Sequence, residues 1–186
     1  NRDKNAAAKS KLEASGRRIL ALECDVGDEA AVNAAFARTL ETFGRVDGCF
    51  ANAGVSGKAG GTSFADMPSE EWRRVMRVNL DGAFYTLRAA AKHMMGRPGG
   101  GSLVGTASLA AIEGAARSEH YAATKGGLIS MLRAMAVEFA RYGVRANAVL
   151  PGWIETDMTA AATGNAKFVQ NVMPRIPMRR WGKGAD

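Results

Sequence analysis

The sequence predicts an α/β fold organised around a parallel sheet. Short apolar runs alternate with stretches of helical period, as strand–helix–strand units require. The helical stretches are longer than ten residues, and Gly, Pro or Asp separates them from the apolar runs. The 186 residues suffice for one domain spanning 1–186 with a substantial core, and a hydrophobic fraction of 47% is that of an ordinary globular protein.

Residues 5–15, rich in Ala, Lys and Glu, read as a helix stopped by Gly16. Residues 18–24 read as a short apolar strand that Asp25 ends. Asp28 is placed to cap a helix over 29–43, which Gly44 stops. Residues 46–51 form the next strand, leading into Asn52-Ala53-Gly54 and a Gly-rich loop that runs to Gly61. Pro68 opens a long helix with Ser69 as its expected cap, and the apolar pattern continues to Met95. Pro98 to Gly101 break it before a strand at 102–106. A helix from 121 to 142, ended by Gly143, precedes a strand at 144–150 halted by Pro151-Gly152. Leu128, Leu132, Met135 and Phe139 make one row on that helix, and Ile129, Ala136 and Ala140 a second, so two covered sides are expected. Beyond 152, Pro174, Pro177 and scattered Gly predict irregular or short helical structure.

Composition narrows the function. No apolar run is long enough to cross a membrane, and the first five residues lack the apolar stretch of a signal peptide. Cys24 and Cys49 make no disulfide framework and no metal-ligand spacing; as buried free thiols they imply a reducing cytoplasm. The net charge of +7 invites a nucleic-acid reading, but the basic residues are dispersed and aromatic–basic alternation is absent. No nucleic-acid, membrane or metal partner is expected.

The chemistry lies in Tyr121-Ala-Ala-Thr-Lys125, thirteen residues after Ser108. One helical turn puts the phenol and the ammonium on one face, where the cation favours the phenolate. Ser108 follows a strand end and is free to approach them. His120, next in sequence to Tyr121, points to another helix face and is expected at the surface, while His93 is expected to be structural.

With Asp25-Val26, Asn52-Ala53-Gly54, Asn79, Ser108, Tyr121-x-x-x-Lys125 and Pro151-Gly152 with Thr156, in that order, the chain resembles the short-chain dehydrogenase/reductase family in its classical branch. The resemblance implies a Rossmann-type doubly wound parallel sheet. It further implies an oxidoreductase that transfers a hydride between NAD(P)(H) and a small-molecule carbonyl or secondary alcohol. Tyr121 would be the general acid or base. Lys125 would lower its pKa and bind the nicotinamide ribose, Ser108 would hold the reacting oxygen, and Asn79 would hold a water linking Lys125 to solvent. Asp25 and Val26 would bind adenine. Asn52, Ala53 and Gly54 would line the cofactor, Pro151-Gly152 would turn beneath the nicotinamide, and Ile154 and Thr156 would bind its carboxamide. A family-like homo-oligomer, tetramer or dimer, with the two long helices at an interface, is also implied. A non-catalytic cofactor or ligand sensor on the same fold is the alternative; it would need none of the proton chemistry.

The family's Gly-rich phosphate turn, Thr-Gly-x-x-x-Gly-x-Gly, does not occur in these residues. The chain therefore reads as an internal fragment with the first two strands before Asn1, an incomplete sheet expected to be poorly folded and inactive in isolation. If Asn1-Arg2 coincides with the end of the second strand, the missing acid and the nearby Arg2 give a slight lean to NADP over NAD.

Overall fold

A computed structural model describes residues 2–57 and 62–186, with residues 2–4 described by backbone alone. Arg2's side chain, Asn1 and the 58–61 part of the Gly-rich loop lie outside that description. The elements run α1 (Arg2–Glu13), α2 (Glu29–Phe43), β1 (Gly48–Ala51), α3 (Ser69–Met76), a π-helical turn (Arg77–Asp81), α4 (Gly82–Met95) and β2 (Gly101–Thr106). After these come α5 (Ala110–Glu113), α6 (Glu119–Phe139), β3 (Val144–Val149), α7 (Ala160–Thr163) and α8 (Ala166–Val172).

Local chemistry accounts for most boundaries. Asp28 accepts from the N–H groups of Ala30 and Ala31 and so caps α2. Gly44 ends that helix at φ 79°, and its N–H bonds the Leu40 carbonyl. Gly143 closes the single 3₁₀ turn after α6 at φ 69°. The expected cap at Ser69 is displaced. Ser69 is the first helical residue, and the Pro68 carbonyl accepts from Glu71 and Trp72. The long helix over 69–95 is interrupted at its middle by the π turn, which inserts one extra residue per turn and re-aims Asn79.

Among the described residues the sheet is parallel, in the order β1-β2-β3. The register aligns Cys49 with Leu103 and Ala146, and Ala51 with Gly105 and Ala148. Those rows face the helices. Leu87 and Met94 of α4, Leu128 and Leu132 of α6, and Leu103 of β2 are fully buried there, each contributing about 1.5–3 kcal/mol. Gly105 makes the α6 contact close, since a Cβ there would stand 2.8 Å from Leu132 and 3.1 Å from Leu128. On the opposite face of this incomplete Rossmann-type sheet Phe50 is 63% exposed, with no described helix covering it. Of the two rows expected on α6, Leu128, Leu132 and Phe139 are buried and Met135 packs beside them. Ile129 and Ala136 are half-buried, and Ala140 is exposed.

Three expectations are corrected. Residues 18–24 form no strand, because they enter no hydrogen-bonded ladder with the sheet. Cys24 is consequently exposed rather than buried. His120 is buried, 2% exposed, because the N-terminus of α6 packs against α3 and places the imidazole Nε2 3.8 Å from Glu71 Oε1. His93 is structural as expected: Nε2 accepts from the Val46 N–H at 3.3 Å, and the ring meets Phe36 edge-on.

Candidate active site

The three parallel strands end on one side, and the chain leaving each of them supplies the candidate groups. Ligands of open α/β sheets gather at this carboxyl edge. Asn52, one residue past β1, accepts from Thr106 Oγ1 at 2.9 Å. Past β2, the Ala107 N–H donates to Val149 at 2.8 Å and the Leu109 N–H to Pro151 at 3.1 Å. These bonds set Ser108 beside the Pro151-Gly152 turn, where a Cβ on Gly152 would stand 3.2 Å from Leu109. Ser108 is half-buried, and its Oγ accepts from the Ala110 N–H at 3.2 Å, starting the short α5.

Lys125 is 5% exposed, and its ammonium donates to the Thr106 carbonyl at 2.6 Å. It lies 5.5 Å from the centre of the Tyr121 ring, one turn earlier on α6. Burial lowers the pKa of Lys125, because an ammonium loses hydration in the interior. Asn79 is 1% exposed, and its carboxamide is engaged at both ends. Oδ1 accepts from the Val55 N–H at 2.8 Å, and Nδ2 donates to the Val55 carbonyl at 2.9 Å. Nδ2 also faces Thr124 Oγ1 at 3.3 Å, and that hydroxyl donates to the Tyr121 carbonyl at 2.8 Å. A Cβ on Gly54 would stand 3.3 Å from Asn79 Oδ1 and 3.6 Å from Lys125 Nζ, so a larger side chain there would crowd both. Asn79, Lys125 and the loop 54–55 are therefore one packed unit. Thr106 and Thr124 hold that unit together, and the sequence reading passed over both. Thr124 sits inside the Tyr121–Lys125 spacing, which was the available signal; Thr106 is marked only as a strand-end polar residue.

A second group lies at the start of α4. Val26, Asn52, Ala53, Gly82 and Thr86 border a cavity of about 70 Å³. Gly82 permits this approach, since a Cβ there would lie 2.8 Å from a Val26 methyl. Asp25 Oδ1 accepts from the Gly27 N–H at 2.9 Å, and Oδ2 from Arg77 at 2.9 Å. These two hydrogen bonds, Arg77 first, lower the Asp25 pKa. Beyond β3, Ile154 forms a parallel bridge with Gly182. Its hydrogen bonds join Gly182 N–H to the Trp153 carbonyl and Glu155 N–H to the Gly182 carbonyl, so the Ile154 N–H is not used in it. Thr156 is exposed; its N–H donates to Thr159 Oγ1 at 3.0 Å. Trp153, Phe168 and Trp181 close this region as an aromatic cluster, with centroids 4.9 Å apart for Trp153–Phe168 and 6.5 Å for the stacked Phe168–Trp181. No group of three or more metal-ligating side chains occurs among the described residues, and no described helix is long and apolar enough to cross a membrane.

Residues 1–186 match the family model described as enoyl-(acyl carrier protein) reductase. The chain is 34% identical over 177 residues to the L-rhamnose 1-dehydrogenase (NAD(P)(+)) of Sphingomonas sp. (strain SKA58), covering 95% of this chain and 68% of that protein. Among solved structures it resembles a gluconate 5-dehydrogenase from Burkholderia cenocepacia J2315 in complex with NADP and tartrate. The TM-score is 0.90 at 31% identity, over 98% of this chain and 70% of that one. An NAD+-bound xylitol dehydrogenase gives a TM-score of 0.89 at 29% identity, over 98% of this chain and 75% of that one. The chain thus spans about two thirds of the length of the curated relatives it matches.

Proposed function

The chain belongs to the short-chain dehydrogenase/reductase family, whose members are NAD(P)-dependent oxidoreductases, and from that premise we propose that Tyr121, Lys125, Ser108 and Asn79 interconvert a carbonyl and a secondary alcohol. One observation carries the assignment: a buried ammonium, anchored to the strand-end carbonyl of Thr106, one helical turn from a phenol. A cation held in that place is positioned to offset the negative charge that develops on the phenol oxygen as its proton moves. In the reductive direction the Tyr121 hydroxyl gives its proton to the substrate oxygen; in the oxidative direction the phenolate takes it. Ser108 Oγ accepts from Ala110, which leaves its own proton to donate to the same oxygen. The Asn79 carboxamide is engaged by Val55 and Thr124, and the water linking Lys125 to solvent is proposed beside it.

A nicotinamide held here would supply hydride chemistry at the reacting carbon. The chain's residues fit such a group. The cavity bordered by Val26, Asn52, Ala53, Gly82 and Thr86 lies among the residues assigned to it. Asp25 and Val26 are assigned to adenine, and Asn52, Ala53 and Gly54 to the length of the cofactor. Lys125 and Tyr121 are assigned to the nicotinamide ribose, Pro151 and Gly152 to the ring. Ile154 and Thr156 are assigned to the carboxamide, and the bridge to Gly182 leaves the Ile154 N–H for it. The missing acid at Asn1 and the nearby Arg2 remain the argument for NADP over NAD; titrating both reduced cofactors decides between them. A single domain is proposed for 1–186, since one core cluster runs from Ala51 to Val144. A homo-oligomer and a cytoplasmic setting belong to the same proposal.

The substrate is proposed to be a small hydroxylated or keto compound, in line with relatives named for rhamnose, gluconate and levodione. The test is Tyr121→Phe in the protein of the intact reading frame, assayed by nicotinamide absorbance on L-rhamnose, gluconate, xylitol and levodione. Turnover is expected to fall by at least about a hundredfold with cofactor affinity within about threefold of wild type. Retained turnover would sink the assignment, and cofactor binding with no turnover in the wild type would favour a sensor.

A further inference from the structure

We propose that Arg77 is a positioning residue that sets the Asp25 carboxylate to discriminate the purine of the cofactor. The inference rests on the assignment of Asp25 and Val26 to adenine and extends it to a residue 52 positions away. The clasp has three parts. Arg77 Nη1 donates to Asp25 Oδ2 at 2.9 Å. The arginine also passes against Gly27, where a Cβ would stand 2.4 Å from Nη1 and 2.8 Å from Cζ. Asp25 Oδ1 is fixed separately by the Gly27 N–H at 2.9 Å. Both carboxylate oxygens thus have one donor each, which fixes the plane of the group and leaves a lone pair on each oxygen.

The same helical run grips the segment from its other side. Gly82, five residues after Arg77, receives Val26 at a distance no side chain could tolerate. Residues 25–27 are therefore held at Arg77, the first residue of the π turn, and at Gly82, just past its end. That turn decides where both contacts fall, and it also aims Asn79 at Val55. Asp25 and Arg77 are roughly half exposed, at 55% and 47%, so as a bare ion pair they would add little to folding stability. Their contribution is orientation. A carboxylate whose free lone pair faces the base accepts from the 6-amino group of adenine and repels the 6-oxo group of hypoxanthine.

The experiment measures binding of NADH or NADPH, whichever binds more tightly, against the matching nicotinamide hypoxanthine dinucleotide, by nicotinamide fluorescence in the protein of the intact reading frame. Wild type is expected to favour adenine by about tenfold, the size of one charge-assisted hydrogen bond. Arg77→Leu is expected to reduce that ratio to about twofold, with Arg77→Lys in between. The ratio is the informative quantity, because loss of a nearby cation or of general stability weakens both dinucleotides alike. An unchanged ratio in Arg77→Leu, or tighter adenine binding through release of the carboxylate, overturns the proposal. Asp25→Asn separates the two levels. If it abolishes discrimination while Arg77→Leu keeps it, only the role of Arg77 fails; if it changes nothing, or the wild type shows no preference, the adenine assignment fails with it. Should Arg77→Leu melt below the assay temperature, the ratio is read on Arg77→Gln with the same two outcomes.

Discussion

Lys125 is the residue on which local cost and proposed use meet. Burial makes its charged form less favourable in the folded protein, so its folded pKa lies below the unfolded value of 10.5. The unfolded chain then binds more protons across the interval between the two values, and stability tied to this group rises with pH through it. Thermal melts of wild type and Lys125→Met are therefore expected to shift in favour of wild type as pH climbs towards 10.5; parallel curves would contradict this. The thiols give a second test at this scale. Cys49 is pushed up to about 11 by burial, whereas Cys24 is exposed, its pKa raised by partial burial and by Asp25 and Asp28. At pH 8 about one in a thousand Cys49 side chains is thiolate. One thiol is expected to react with an aromatic disulfide at least about a hundredfold faster than the other, with the slow one appearing on unfolding. Ser108, Tyr121 and Lys125 stood out as candidates because their spacing suggests one chemistry, and Asn79 only through the resemblance. The burial of His120 was not legible, because adjacency to Tyr121 says which way it points from its own helix but not that α3 lies there.

At the scale of elements, the glycines between β-strand and helix decide how closely layers approach. Gly100 sits at φ 59°, and a Cβ on it would stand 2.1 Å from the Gly143 carbonyl oxygen. Neither backbone has room to withdraw, since Gly101 N–H also bonds that carbonyl at the start of the β2–β3 ladder. Gly100→Ala is expected to cost about 3 kcal/mol in denaturant unfolding. Gly126 in α6 is the counterpart. A Cβ there meets nothing within 4 Å among the described residues, so Gly126→Ala is expected to stabilise by about 0.5–1 kcal/mol. A stabilised Gly100 variant or a destabilised Gly126 variant would show that this packing is misread. Helix positions such as Glu29–Phe43 were legible to the residue, because Asp28 and Gly44 carry cap chemistry. The π turn was not, because no side-chain pattern distinguishes a fifth-residue hydrogen bond from a fourth.

For the molecule as a whole, order along the chain was easier to read than closure of the layers. The alternation of strand and helix gave the parallel sheet, but residues 18–24 have strand composition without a ladder to join. Composition alone cannot create a strand, whose hydrogen bonds belong to its neighbours. The sheet of described residues offers free ladder groups along β1 and β3 and exposes Phe50 and Val149 beside them. The 186-residue polypeptide alone is expected to self-associate with rising concentration through these edges. Light scattering behind size exclusion checks this, and a monodisperse monomer at high concentration would refute it. The contact of Trp153, Phe168 and Trp181 joins stretches 13 to 28 residues apart in the chain, around the span that carries α7 and α8. Two of those rings are indoles, so the protein carries an intrinsic optical gauge: whenever the cluster opens, the emission of both chromophores must change colour, with no label attached.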